Sequence, residues 1–343
     1  MTSSPAVEAP ELSEIEATAR SLVRYIRETP VWPWRDEVLA RRLLPGTEAV
    51  LKLELFQHAG SFKARGALAV MLGLDAEVRR RGVTAVSAGN HAIAVAWAAG
   101  VLGATAKVVM PKTADPYRVA RCRGLGAEVV LTGDVHQAFA ETQRIEREEG
   151  RTFVHPFEGP RTALGTATLG MELVRQAPDL EAVIVPVGGG GLAAGVSAAI
   201  ARLQPGCEVF GVEPEANDVM LRSLRSGHPE KVPEGRAPTI ADSLSPPYTL
   251  PYSFELCRRG LTDLVLVSDD AMREALALLF QSAKLAVEPA GAAATAALLG
   301  PLRDRLGGRR VGLIVCGTNI SPDRYAKHLA RGTALLGQSS PRV

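Results

Sequence analysis

Cysteine is scarce in this chain: four residues in 343, Cys122, Cys207, Cys257 and Cys316, with no Cys-x-x-Cys pair. So sparse a set excludes a disulfide framework and a structural zinc site, and it suits a reducing cytoplasm. Charge of one sign is also missing. Lys plus Arg number 39 against 37 Asp plus Glu, a net +2, which leaves no electrostatic footprint for nucleic acid or an anionic membrane. No stretch of about 18 apolar residues runs free of charge and glycine, and the N-terminus has neither a basic start nor an apolar core, so no spanning helix or secretory leader is expected. No repeat of 20 to 50 residues recurs, at about the periods that mark solenoids. What is present, 46% hydrophobic and 22% charged residues, is the composition of a soluble globular protein with a sizeable core and a small molecule as partner.

Short β-branched runs alternate with Ala/Leu-rich stretches of helical period. Strands are predicted at 84–87, 106–110, 128–131, 182–187, 208–212, 263–267 and 310–315, and helices at 90–100, 115–125, 137–149, 192–203 and 269–282. Alternation of this kind specifies an α/β fold, parallel sheets covered by helices. The Pro-rich stretch 229–251 reads as one long loop within a single unit of two lobes.

Four consecutive glycines, Gly188, Gly189, Gly190 and Gly191, stand between the strand ending at Val187 and the helix starting at Leu192. Backbone without Cβ atoms can turn sharply and aim successive N–H groups at an anion, and the helix adds its positive dipole end. A phosphate is the expected guest. Its owner is open at this point, because Gly188, Gly190 and Ala193 also satisfy Gly-x-Gly-x-x-Ala and Glu213 ends the next strand where a ribose-binding acid would sit. An oxidoreductase that binds a dinucleotide is one reading. A Walker loop is excluded, since no Lys-Ser or Lys-Thr follows the glycines.

Gly60-Ser61-Phe62-Lys63-Ala64-Arg65-Gly66-Ala67 places a lysine between an aromatic residue and a predicted helix. Desolvation or a nearby positive field there lowers an amine's pKa, which makes lysine a Schiff-base former and a proton acceptor. Further along come Ser87-Ala88-Gly89-Asn90-His91, Val154-His155-Pro156-Phe157, the glycine run, Glu288-Pro289-Ala290-Gly291-Ala292 and Val315-Cys316-Gly317-Thr318-Asn319. In this order, over nearly the whole chain, the segments resemble the fold-type II pyridoxal-phosphate enzymes of the threonine/serine dehydratase and serine racemase group.

The resemblance implies a tryptophan synthase beta-like fold of two open, twisted, mostly parallel sheets. It implies a large cofactor-binding domain of residues 1–64 plus 159–343, a small mobile domain of residues 65–158 that takes the substrate carboxylate, and a homodimer. Lys63 would hold the cofactor covalently, with Phe62 beside it, and would later serve as base. Gly188, Gly189, Gly190, Gly191 and Leu192 would hold the phosphate, Asn90 the ring hydroxyl, Glu288 the ring's orientation, and Cys316 the ring nitrogen. Ser87, Ala88, Gly89, Asn90 and His91 would wrap the substrate carboxylate, and His155 would be structural.

The implied reaction is dehydration and deamination of a 3-hydroxy amino acid, threonine or serine first, to a 2-keto acid and ammonia. A neutral thiol at the ring nitrogen suits elimination better than transamination, and Ala88 stands where the racemases carry the serine that protonates the other face of Cα. Two departures bear on the side chain. Trp34 replaces a serine in the Thr29-Pro30 segment, and Asp242-Ser243-Leu244-Ser245-Pro246-Pro247 replaces Asp-Gly followed by small residues. They leave 3-hydroxyaspartate, a bulkier hydroxy amino acid or a β-replacement reaction as alternatives. Glu213 also resembles the family's divalent-cation loop, although Val219 stands where the second acid belongs, which makes it a weak metal candidate.

Overall fold

The computed structural model describes residues 7–233 and 235–338. Among them ten strands form two sheets: β1 Val31–Trp34, β2 Glu48–Lys52, β3 Val83–Val86, β4 Ala106–Pro111, β5 Glu128–Thr132, β6 Thr152–Phe153, β7 Ala182–Pro186, β8 Glu208–Pro214, β9 Asp263–Val267 and β10 Arg310–Ile314. The larger sheet runs β1-β2-β10-β7-β8-β9 and the smaller β5-β4-β3-β6. Every pairing is parallel except β1 with β2.

Central strands show why the pattern reads this way. β7, Ala-Val-Ile-Val-Pro, is buried at every position because helices cover both faces of the sheet. β1 departs from the parallel expectation. It lies at the edge, with Trp32 exposed and Trp34 buried, and tolerates Pro33 because one side of an edge strand needs no N–H donors. The predicted helices lie within two residues of the observed ones. The largest shift, Val135–Glu149 for the predicted 137–149, follows from Asp134, whose side chain caps the N-terminus by accepting from Gln137 N.

All four strands of the smaller sheet fall within residues 83–153. Its hydrophobic core also takes in Leu22, Ala59 and Ala64, and the helix Lys63–Leu72 packs between the helices Pro160–Gln176 and Asn90–Val101. The expected division at 64/65 therefore falls inside a helix shared by both lobes. Among the described residues no helix is long and apolar enough to cross a membrane.

Candidate active site

A cavity of about 190 Å³ opens between the sheets, where β3 and β7 deliver their loops to the helices that follow. Phe62, Lys63, the segment Ser87–His91, Gly188–Leu192 and Cys316 all face it. Position after the carboxyl ends of parallel strands is where α/β folds hold their ligands, because strand ends fix the loops and helix N-termini supply unpaired N–H groups.

Its floor is the glycine run. Gly190 has φ +92, a conformation that resists a side chain, and a Cβ on Gly189 would come within 2.3 Å of the Phe157 ring. The helix Gly191–Leu203 begins at once, so its first N–H groups have no partner within the helix and point at the cradle. A phosphate fits here.

Lys63 opens the helix Lys63–Leu72. Burial lowers its amine to about 8, against a smaller opposing effect of Cys316, and the ammonium donates to Pro156 O. The backbone before it is held in left-handed turns at Ala59 and Gly60, with Asn319 donating to Ala59 O at 2.7 Å. Cys316 is buried, and burial pushes its thiol far up, so it stays neutral. Behind Lys63 lies an anchor that sequence reasoning left without a role. Arg65, fully buried, forks onto Glu54 at 2.9 and 2.8 Å and onto Glu172 at 2.7 and 2.7 Å. Glu172 in turn accepts from Lys52 at 2.9 Å. The lysine helix is thereby tied to the larger sheet two residues from the reactive amine.

On the opposite wall Ser87 Oγ accepts from Gly89 N at 3.1 Å, shaping the turn into the helix Asn90–Val101. His91 donates from Nε2 to Val154 O at 2.7 Å, and burial together with Lys63 presses its pKa to about 3, so it is neutral. Asn90 donates to Glu288 at 2.5 Å and to Ser243 at 3.2 Å and accepts from Asn319 at 2.7 Å. His155 faces the back of Lys63 and accepts from Phe157 N and Glu158 N through Nδ1, a turn-shaping use.

Arg118 was not anticipated. It lines the cavity, donating to Asn319 O at 2.8 Å, Asp242 at 2.8 Å and Glu288 at 2.9 Å. Its partners lie 124 to 201 residues away in sequence, so no local pattern could have revealed it. Burial lifts the Glu288 carboxyl above its ordinary value, against the pull of Arg118.

Both sequence departures resolve. Trp34 lies in β1, bonds Ser282 through its indole N–H at 2.9 Å and stays outside the cavity lining. Ser243 sits in a one-turn 3-10 helix, Asp242–Leu244, and among the described residues only Ala59 and Lys284 have positive φ without being glycine; a serine is unstrained there, and its hydroxyl donates to Glu288 at 3.1 Å. Glu213 is turned elsewhere. Both carboxylate oxygens accept N–H groups, from Met220 and Leu221 at 2.9 Å each, capping the helix Val219–Ser226, and Asp218 pairs with Arg236. Among the described residues no three His, Cys, Asp or Glu side chains gather as a metal site.

Of the two owners the glycine run allowed, the cleft supports one. A dinucleotide needs an acid free to meet a ribose, and Glu213 is buried and engaged. A phosphate cradle facing a lysine whose amine burial has brought down to about 8, with the Ser87–His91 loop opposite, defines an enzyme that works through pyridoxal phosphate.

Comparison with known proteins places the chain within that class. The family model described as pyridoxal-phosphate dependent enzyme matches residues 23–317, and the chain belongs to that family. It is 54% identical over 332 residues, 97% of this chain and 100% of the relative, to the phenylserine dehydratase of Ralstonia pickettii. It is 38% identical to the L-threonine ammonia-lyase of Thermotoga maritima, covering 95% of this chain and 80% of the relative. Among solved structures, the maize serine racemase superposes with a TM-score of 0.86 at 29% identity, covering 94% of this chain and 99% of that one.

Proposed function

We propose that this protein dehydrates and deaminates a 3-hydroxy amino acid with a bulky aryl side chain, of the 3-phenylserine class, to a 2-keto acid and ammonia. The carrying observation is that one cavity gathers Lys63, the glycine cradle, Ser87–His91 and Cys316 in a chain 54% identical to a phenylserine dehydratase. Threonine or serine, the first expectation, yields here to the bulkier alternative, because the part of the lining left for the side chain is apolar. 3-Hydroxyaspartate is disfavoured too: its second carboxylate needs a free cation, and Arg118 is already engaged by Asp242 and Glu288.

Pyridoxal phosphate supplies an electron sink for the pair released when the Cα–H bond breaks. The chain's residues do the rest. The Gly188–Leu192 N–H groups would hold the phosphate, Asn90 and Glu288 would orient the ring, and Cys316, a neutral thiol, would serve the ring nitrogen. Ser87, Ala88, Gly89, Asn90 and His91 hold the substrate carboxylate against a helix N-terminus. Lys63, neutral at modest cost because burial has lowered its pKa, takes the Cα proton. The lobe built on the smaller sheet, whose strands lie within residues 83–153, closes over the rest and excludes water. The same reading makes the protein a cytoplasmic homodimer, the compartment supported by four cysteines that form no disulfide.

The test is keto-acid and ammonia release from serine, threonine, 3-hydroxyaspartate and 3-phenylserine by the holoenzyme. The highest kcat/KM is expected for 3-phenylserine. No keto acid from any of the four overturns the assignment, and a preference for threonine or serine overturns the aryl part alone.

A further inference from the structure

Three sides of the cavity have work to do: the glycine cradle, Lys63 and the carboxylate loop. The side left for the substrate's side chain is made of Val86, Pro111, Phe139, Leu244, Pro246 and Pro247. None of these offers a side-chain hydrogen bond, and the three prolines lack even a backbone N–H. The polar neighbours have partners of their own: Ser243 donates to Glu288 at 3.1 Å, Ser245 to Ala241 O at 3.4 Å, and Asp242 pairs with Arg118 at 2.8 Å.

Phe139 comes from the helix Val135–Glu149, which packs on the smaller sheet beside Val86 and Val109. Pro246 and Pro247 come from the loop that returns to the larger sheet, pinned by Val232 N to Pro247 O at 2.9 Å and by Asn217 to Pro246 O at 3.2 Å. Tyr248, next in the chain, backs both. Its ring lies 5.8 Å from Phe139 at 46° and 6.2 Å from Phe157 at 61°, tilted geometries that favour aromatic contact. Phe157 also packs on Gly189 of the cradle. A continuous aromatic wall thus runs from the cofactor's phosphate site to the side-chain end of the cavity, and its two halves belong to different sheets.

Resting on the aryl-substrate reading above, we infer that Phe139 is the specificity-determining contact for the substrate's aromatic ring, seated with Pro246 and Pro247, and that Tyr248 positions Phe139. An aryl group gains edge and face contacts that a methyl or hydrogen at the same carbon cannot make, so the wall selects 3-aryl over 3-alkyl substrates. Because Phe139 and the proline pair approach from opposite sheets, the ring is gripped only when the two are together. Selection and closure are then one event.

The experiment compares kcat/KM for 3-phenylserine and for threonine in the wild-type holoenzyme and in Phe139→Ala, Phe139→Leu and Tyr248→Ala. The wild-type ratio favours 3-phenylserine. It is expected to fall on the order of 100-fold in Phe139→Ala, the scale set by losing several methylene-sized contacts in an apolar pocket, and less in Phe139→Leu, which keeps an apolar side chain and so guards against a variant that fails to fold. Tyr248→Ala lowers the ratio in the same direction by a smaller factor. A wild type indifferent to 3-phenylserine overturns the aryl reading on which this rests. A wild-type preference that survives within about threefold in all three variants leaves that reading standing and overturns the role given to Phe139.

Discussion

Replacing Arg65 with methionine removes the anchor of the lysine helix, and its cost can be worked from the contacts. Arg65 has no exposed surface and donates five hydrogen bonds to three side chains: two to Glu54, two to Glu172 and one to Thr168 at 3.2 Å. In the variant Glu172 keeps Lys52, whereas Glu54, also fully buried, retains the Thr29 hydroxyl at 2.5 Å. An uncompensated buried charge of this kind costs about 3–5 kcal/mol, a large share of the roughly 5–15 kcal/mol that holds a domain together. At about 2–4 °C per kcal/mol the melting temperature should drop on the order of 10 °C. The pH dependence has a definite sign. Burial raises the Glu172 carboxyl, but Arg65 and Lys52 outweigh it and hold its pKa below the ordinary value. The resulting stability is present above the unfolded-state pKa and is lost as pH falls through the lower folded one. Acidification therefore weakens the wild type through Glu172, a contribution that Arg65→Met has already partly lost, so the gap between them narrows. Urea unfolding of the holoenzyme at pH 7 and in mild acid measures this. Glu54→Met added to Arg65→Met should recover much of the loss, since the penalty comes from breaking the pair and not from lacking it. A single variant within about 1 kcal/mol of wild type at neutral pH, or a gap indifferent to pH, refutes the argument.

Gly189→Ala forces a Cβ to within 2.3 Å of the Phe157 ring; overpacking of about 1–3 kcal/mol should displace the cradle and weaken cofactor binding roughly 10- to 100-fold, read by titrating the apoenzyme with pyridoxal phosphate. With Lys63 lowered to about 8, covalent capture of the cofactor by apoenzyme, which needs the neutral amine, should rise with pH through a midpoint near that value; a midpoint at the ordinary lysine value of about 10.4 contradicts the desolvated site. Ala88→Ser should raise serine racemisation relative to elimination, followed by chiral chromatography, and a wild type that racemises as fast as it eliminates counts against the reading of Ala88.

The seven predicted strands, β3, β4, β5 and β7 to β10, were legible because periodicity is a local property: β7 and the helix Gly191–Leu203 follow from their own residues, whereas β2 and β6 went unpredicted. β1 was not legible as a strand, since four residues with a proline become one only by pairing with β2. Lys63 and the glycine run could be picked out because each sits in a segment whose residue types carry a chemical demand, and Asn90 and Cys316 through the resemblance of their segments to the family's. Arg118 and Phe139 carry none locally. One lies in a helix that also holds Arg121 and Arg123, the other on an amphipathic face, and both acquire meaning from residues on the other side of the cleft.

Sequence by itself determined the α/β class and singled out the glycine run and Lys63 as candidates, because backbone periodicity, missing Cβ atoms and residue chemistry act over a few neighbours. Tertiary structure alone decided which acid was free and which was spoken for. Glu213 is turned onto a helix N-terminus, Glu288 is locked with Arg118, and Arg65 is forked between two buried carboxylates. It also decided what stands at the side-chain end of the cavity, since Phe139 and Pro246 are brought together only by packing one sheet against the other. Charge pairing and pocket shape depend on distances between residues far apart in sequence, and those distances exist only in the folded chain.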